Sequence, residues 1–126
     1  MKKYALDHRE GNFWRIRAVR SFSDVEKGAF GGLIESERNL SHDGDCWIYD
    51  DSYVFGRAQV RDDAKVCGGA WVGDSAQIYE KAVVTGSAWI ALDTRIHGTA
   101  VVDFCAVQGD IIITPKKKKD KENAPD

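Results

Sequence analysis

From Cys46 onward the chain repeats a six-residue pattern of apolar and polar positions: CWIYDD, SYVFGR, AQVRDD, AKVCGG, AWVGDS, AQIYEK, AVVTGS, AWIALD, TRIHGT and AVVDFC. The first position is small throughout (Cys46, Ser52, Ala58, Ala64, Ala70, Ala76, Ala82, Ala88, Thr94, Ala100). The third is β-branched throughout (Ile48, Val54, Val60, Val66, Val72, Ile78, Val84, Ile90, Ile96, Val102). These positions lie two residues apart, so on an extended strand they share one face while position two points the other way. Positions five and six hold Gly, Asp, Ser and Arg, which suit a bend. Each hexapeptide therefore predicts a short strand and a corner, and three of them close a triangular coil of 18 residues. Such coils stack about 4.8 Å apart, with the β-branched column inside.

The repeat resembles the left-handed parallel β-helix of hexapeptide-repeat proteins, and the resemblance implies an all-β solenoid. Its hand comes from that resemblance, since ordinary crossover rules favour the opposite sense. Residues 17–51 also resemble the N-terminal part of the YdcK-like family of bacterial and prophage hexapeptide-repeat proteins. The matching features are Asp24-Val25, Gly28, Gly31-Gly32, Asn39-Leu40-Ser41 and the run from Gly44 through Asp50. With the repeats, the resemblance covers residues 16–111, and the family carries only a loose transferase label.

Three segments are expected: a cap at 1–40, the solenoid at 41–113 and a disordered charged tail at 114–126. In the cap, residues 4–7 and 13–20 read as strands around a turn at Glu10-Gly11-Asn12. Ser23-Asp24-Val25-Glu26 has capping-box spacing for one helical turn, ended by Gly28. Such a segment would cover the apolar end and free strand edges of the first coil. Residues 40–45 read as a degenerate repeat. The frame at 106–111 puts Gln108 in the interior column, where an amide needs partners, so Gln108 is expected to mark the end of the coil. The tail has no apolar content beyond Ala and Pro.

Reading outward positions every 18 residues aligns neighbours on successive coils. Face two gives Tyr53, Trp71, Trp89 and Val107, an aromatic ladder, with Phe55, Gly73, Ala91 and Gly109 beside it. Face one gives Trp47, Lys65, Val83 and Val101, beside Tyr49, Cys67, Thr85 and Asp103. Face three gives Gln59, Gln77 and Arg95, beside Arg61, Tyr79 and His97. Faces one and two are apolar and face three is wet. Outward apolar columns mark contacts, so Trp47, Tyr53, Trp71, Val83, Trp89 and Val101 are the expected interface residues. The ladder could pack against the N-terminal segment, a second copy, or another partner or ligand.

Catalytic chemistry has less support. The resembling acyltransferases use a histidine base, coenzyme A between subunits and usually a projecting loop. Only His97 lies within the perfect repeats, and no coil carries an inserted loop. His8, His42 and His97 lack the spacing of a metal triad, so no metal or other cofactor is expected. The acids Asp45, Asp62, Asp63 and Glu80 gather along one corner, read as a solvated edge.

Composition narrows the class without changing the fold. The chain has 126 residues, 43% hydrophobic and 30% charged, as expected of one soluble domain. No apolar run is long enough for a membrane span, and no signal peptide is visible. Three cysteines without CxxC spacing fit a reduced, cytoplasmic setting. Residues 1–20 carry +4, residues 21–114 carry −8 and the remainder +2. An acidic body argues against nucleic acid as partner. The expected function is non-enzymatic binding or scaffolding through protein–protein contacts, with self-association. The alternatives are a small phage-encoded inhibitor of a host defence protein, and an acyltransferase-like enzyme using His97.

Overall fold

The computed structural model describes residues 2–103 and the backbone of 106–107 and 112–113. The expected disordered tail, Gln108 and Gly109 lie outside the described residues. Two strands open the chain as an antiparallel hairpin, β1 (Tyr4–Glu10) and β2 (Phe13–Ala18), joined at Gly11-Asn12. β3 (Phe30–Ile34) runs antiparallel to β2. After it the strands become very short and entirely parallel.

They fall onto three faces. Face one stacks β4 (Trp47–Ile48), β7 (Lys65–Val66), β10 (Val83–Thr85) and β13 (Val101–Asp103). Face two stacks β5 (Tyr53–Val54), β8 (Trp71–Val72), β11 (Trp89–Ile90) and β14 (Ala106–Val107) upon β3. Face three stacks β6 (Gln59–Val60), β9 (Gln77–Ile78), β12 (Arg95–Ile96) and β15 (Ile112–Ile113). The protein is thus an all-β solenoid of about four turns. Each turn donates its backbone N–H groups to the next, as in Tyr53 N–H to the Ala70 carbonyl and Trp71 N–H to the Ala88 carbonyl, both at 2.9 Å. The β-branched column and the small column are buried from end to end.

The corners explain the polar positions of the repeat. Position five takes a positive φ in repeat after repeat: Asp50, Gly56, Asp62, Gly68, Asp74, Glu80, Gly86, Leu92 and Gly98. Gly and Asp suit this left-handed backbone, whereas Leu92 and Glu80 hold it against their steric preference.

Four expectations about local structure are corrected. The parallel stack begins upstream of residue 41, because Leu33 and Ile34 pair in parallel with Tyr53 and Val54. Leu40 bridges Val60 and fills the interior. Residues 40–45 therefore do not keep the frame of the repeats, in which His42 would take the interior position. The corner before Cys46 is longer than its counterparts, and the extra length puts apolar Leu40 in the core in place of an imidazole.

Residues 23–26 form no helical turn. Phe22 and Val25 exchange both backbone hydrogen bonds, at 2.9 and 2.8 Å, closing a tight turn with Ser23 at φ 50. Burial of both Phe22 and Val25 favours this over a helix, since it aims both side chains inward.

At the other end, β14 pairs one residue ahead of the hexapeptide count: Ala106 stands opposite Trp89 and Val107 opposite Ile90. The backbone register thus aligns Val107, not Gln108, with the interior column, which spares an amide from the core. Ala106, not Val107, continues the line of the ladder.

The hairpin closes the first turn. Lys3 is fully buried there, and its ammonium donates to the Cys46 carbonyl at 2.7 Å, the Gly44 carbonyl at 3.1 Å and Cys46 Sγ at 3.3 Å. Burial lowers its pKa and raises that of the Cys46 thiol. Tyr4 Oη donates to the Leu40 carbonyl at 2.6 Å. Gly31 makes this fit possible. A Cβ there would lie 2.7 Å from Ile16, from the Ile48 carbonyl and from the Trp47 ring. No helix among the described residues is long and apolar enough to cross a membrane.

Candidate functional site

Face two carries the aromatic ladder because position two of the repeat points outward on every strand. Tyr53 and Trp71 face each other in register with ring centroids 5.0 Å apart, and Trp71 meets Trp89 edge-on at 6.4 Å. Phe13, on the hairpin, stands edge-on to Tyr53 at 5.0 Å and continues the string of rings downward. The lower rungs are half-buried by this packing. The upper ones are open, with Trp71 45% and Trp89 53% exposed.

Beside Trp71 the free space lies on the flank away from Phe55. The space at Gly73 is occupied by the chain itself, since a Cβ on Gly73 would collide with the Phe55 ring. That ring packs edge-on against Trp71 at 6.2 Å. On the opposite flank a groove of about 380 Å³ is lined by Gly69, Trp71, Ser87, Ala88 and Trp89. None of these residues is charged.

On face one the expected interface changes. Trp47 is not a contact residue, because it is only 1% exposed beneath the N-terminal segment. Phe22 packs edge-on against it at 5.2 Å and Tyr4 at 6.3 Å. Tyr49 is covered from the same side and donates its hydroxyl to Asp24 at 2.7 Å. Burial, with this bond, pushes the Tyr49 pKa up, and the bond holds the Asp24 carboxyl below its usual range. Lys65 Nζ donates to Ser23 Oγ at 3.0 Å. Only the upper part of face one stays open: Val83 is half-buried and Val101 is 66% exposed.

Face three holds a polar stack. The Arg61 guanidinium lies 4.1 Å over the Tyr79 ring, and Tyr79 stacks almost flat on His97 at 4.9 Å. His97 Nδ1 lies 3.2 Å from Glu80 Oε1, leaving Nε2 without a partner among the described residues. The position of His97 was legible in the sequence, but its carboxylate partner was not, because Glu80 belongs to the corner column rather than to His97's own. Glu80 is also occupied by the Gly98 N–H at 2.7 Å.

The acid corner is a bonded edge rather than a merely solvated one. Asp63 Oδ1 accepts the Asp45 N–H at 3.0 Å, and Asp62 Oδ2 accepts the Glu80 N–H at 2.9 Å. Among the described residues no group of three His, Cys, Asp or Glu side chains is placed to hold a metal ion.

No family model matches the chain. The chain is similar to the "Uncharacterized acetyltransferase YdcK" of Escherichia coli (strain K12), at 38% identity over 55 residues. That stretch is 43% of this chain and 17% of the relative, so the two share a small part of a much longer protein.

Proposed function

We propose that the chain is a non-enzymatic β-solenoid binding or scaffolding protein that acts through protein–protein contacts on face two. The observation that carries this reading is the exposure of Trp71 and Trp89. The chain covers Trp47, Tyr49 and Phe22 with its own N-terminal segment, yet leaves these two indoles open on a rigid, hydrogen-bonded surface. Aromatic side chains on such a frame lose little conformational entropy on contact and are typical anchors of interfaces.

A second reading is an acyltransferase-like enzyme. It is favoured by the His97–Glu80 pair, which engages Nδ1 and leaves Nε2 as the candidate base, and by the name of the relative. Binding of acetyl-coenzyme A, measured by calorimetry on wild type and His97→Ala, separates the two. The binding reading expects no saturable heat from either protein. Tight binding with acyl transfer that His97→Ala abolishes would establish the enzyme.

A further inference from the structure

The acids at the corner between faces three and one stand in a line rather than around a point. Asp45, Asp63, Asp62 and Glu80 belong to the corners of three successive coils. They are tied together by the Asp45 N–H to Asp63 Oδ1 bond at 3.0 Å and the Glu80 N–H to Asp62 Oδ2 bond at 2.9 Å. With coils about 4.8 Å apart, the line extends over about 10 Å of the axis. Local cations leave it under-neutralised. Arg61 reaches Asp62 at 3.8 Å and His97 lies 3.2 Å from Glu80, whereas among the described residues neither Asp45 nor Asp63 has an ion pair. No three of these carboxylates converge where a metal ion would sit. A row of negative charge on a rigid frame is complementary to an extended run of cations.

The chain carries such a run, and the fold delivers it to this edge. β15 is the last strand of face three, and its Ile113 stands opposite Ile96 of β12. β12 leads into the corner at His97 and Gly98, β9 into the corner at Glu80, and β6 into the corner at Asp62 and Asp63. β15 therefore ends at the top of the same edge. Lys116, Lys117, Lys118 and Lys119 begin three residues after Ile113. Seen from β15, the Glu80 corner lies two coils down, about 10 Å, the Asp62 corner about 14 Å and Asp45 about 19 Å. Six extended residues, from Ile113 to Lys119, span about 20 Å.

We infer that the acid corner is the docking site of this chain's own lysine run at 116–119, folded back along the solenoid axis from the end of β15. Each exposed ion pair is weak and screened by salt. Tethering offsets this, because a linker of a few residues holds the run at an effective concentration in the millimolar range. The clasp shields the edge, so an external basic partner has to displace the run to reach the acids. Face two lies across the coil from this corner. The clasp therefore leaves Trp71 and Trp89 open, and it does not depend on the binding reading above.

The test is zero-length carbodiimide coupling of the full chain. The reagent activates a carboxylate, and a touching lysine amine displaces the urea to form an amide that peptide mapping locates. Links from the run to Asp45, Asp62, Asp63 or Glu80 of the same chain are expected. Their yield should fall at least fivefold in about 0.5 M sodium chloride, where charges are screened within about 4 Å. Asp62→Asn combined with Asp63→Asn, at unchanged circular dichroism, should at least halve it. Asp93→Asn, at the corner between faces two and three, should leave it unchanged. Replacing the four lysines by glutamine alters no residue of the coils and sets the background. Yields no higher than that background overturn the assignment. So do yields indifferent to salt, or links to Asp50 and Asp93 as frequent as those to the acid corner. Coupling an equal mixture of isotopically labelled and unlabelled chains covers the remaining case. Links that join a labelled peptide to an unlabelled one place the run on a second copy and overturn the intramolecular clasp.

Discussion

Asp62 Oδ2 accepts the backbone N–H of Glu80, its counterpart one coil further on, at 2.9 Å. Glu80 Oε1 takes the Gly98 N–H at 2.7 Å, and on the next corner Asp74 Oδ2 takes the Leu92 N–H at 2.9 Å. Carboxylates at position five thus tie successive corners together while adopting the left-handed backbone that the corner requires. Asp74→Ala loses the charge-assisted bond and puts Ala at a positive φ, each worth about 1 kcal/mol. A loss of about 2 kcal/mol is expected in urea denaturation. Asp74→Asn, which tolerates that backbone and keeps an acceptor oxygen, should cost less than half as much.

Leu92 sits in the same backbone region at φ 57 and is exposed, so neither conformation nor burial favours leucine there. Leu92→Gly should raise stability by about 1 kcal/mol. Thermal unfolding checks this, and a lower melting temperature would show that the side chain makes a contact worth more than the strain.

In the buried small column, Ser52 Oγ has no hydrogen-bond partner among the described residues. Most of its counterparts on the other coils are Ala. Removing an unsatisfied buried hydroxyl relieves a cost of about 1 kcal/mol. Ser52→Ala should therefore stabilise by about that amount, read as a higher urea midpoint at unchanged slope.

The interior was legible in the sequence because period six fixes which residues face inward, and Val54 through Ile96 obey it without exception. What lies on the outside was only half legible. Trp47 and Trp71 occupy outward positions of the same repeat column, yet one is buried and the other open, because Tyr4 and Phe22 come from an N-terminal segment that carries no repeat phase. Gly31-Gly32 was the available signal, marking where two layers approach too closely for a Cβ. The slip at β14 was illegible for a different reason. Strict counting in sixes puts Gln108 in the interior column and has no place for a skipped residue, although only a one-residue shift brings Val107 there instead.

Acid should loosen the cap before the coil. Asp24 is held below the usual carboxylate range chiefly by the Tyr49 hydroxyl, and Glu37 by His42. Asp7 is lowered by His8 and Arg17, and Glu10 by Arg15 and His8. A depressed carboxylate contributes stability above its unfolded pKa and loses it as pH falls through the folded value. The loss therefore sets in below about pH 4. His8, raised by Asp7 and Glu10, works in the opposite sense and fades as pH rises through its own raised value. Hydrogen exchange should show residues 2–25 losing protection below about pH 4 while residues 60–96 keep theirs. Simultaneous loss in both segments would contradict an acid-sensitive cap.

Where the partner lies can be measured in the cell by placing a photoreactive phenylalanine analogue, which keeps an aromatic ring, at position 89 on face two and, separately, at position 59 on face three. Both side chains are exposed and neither fills the core. Position 89 should give a discrete adduct with another polypeptide, lost when Trp71→Lys is added, and position 59 should give none. Adducts from position 59 alone, or equal yields from both, would contradict a binding surface centred on Trp71 and Trp89.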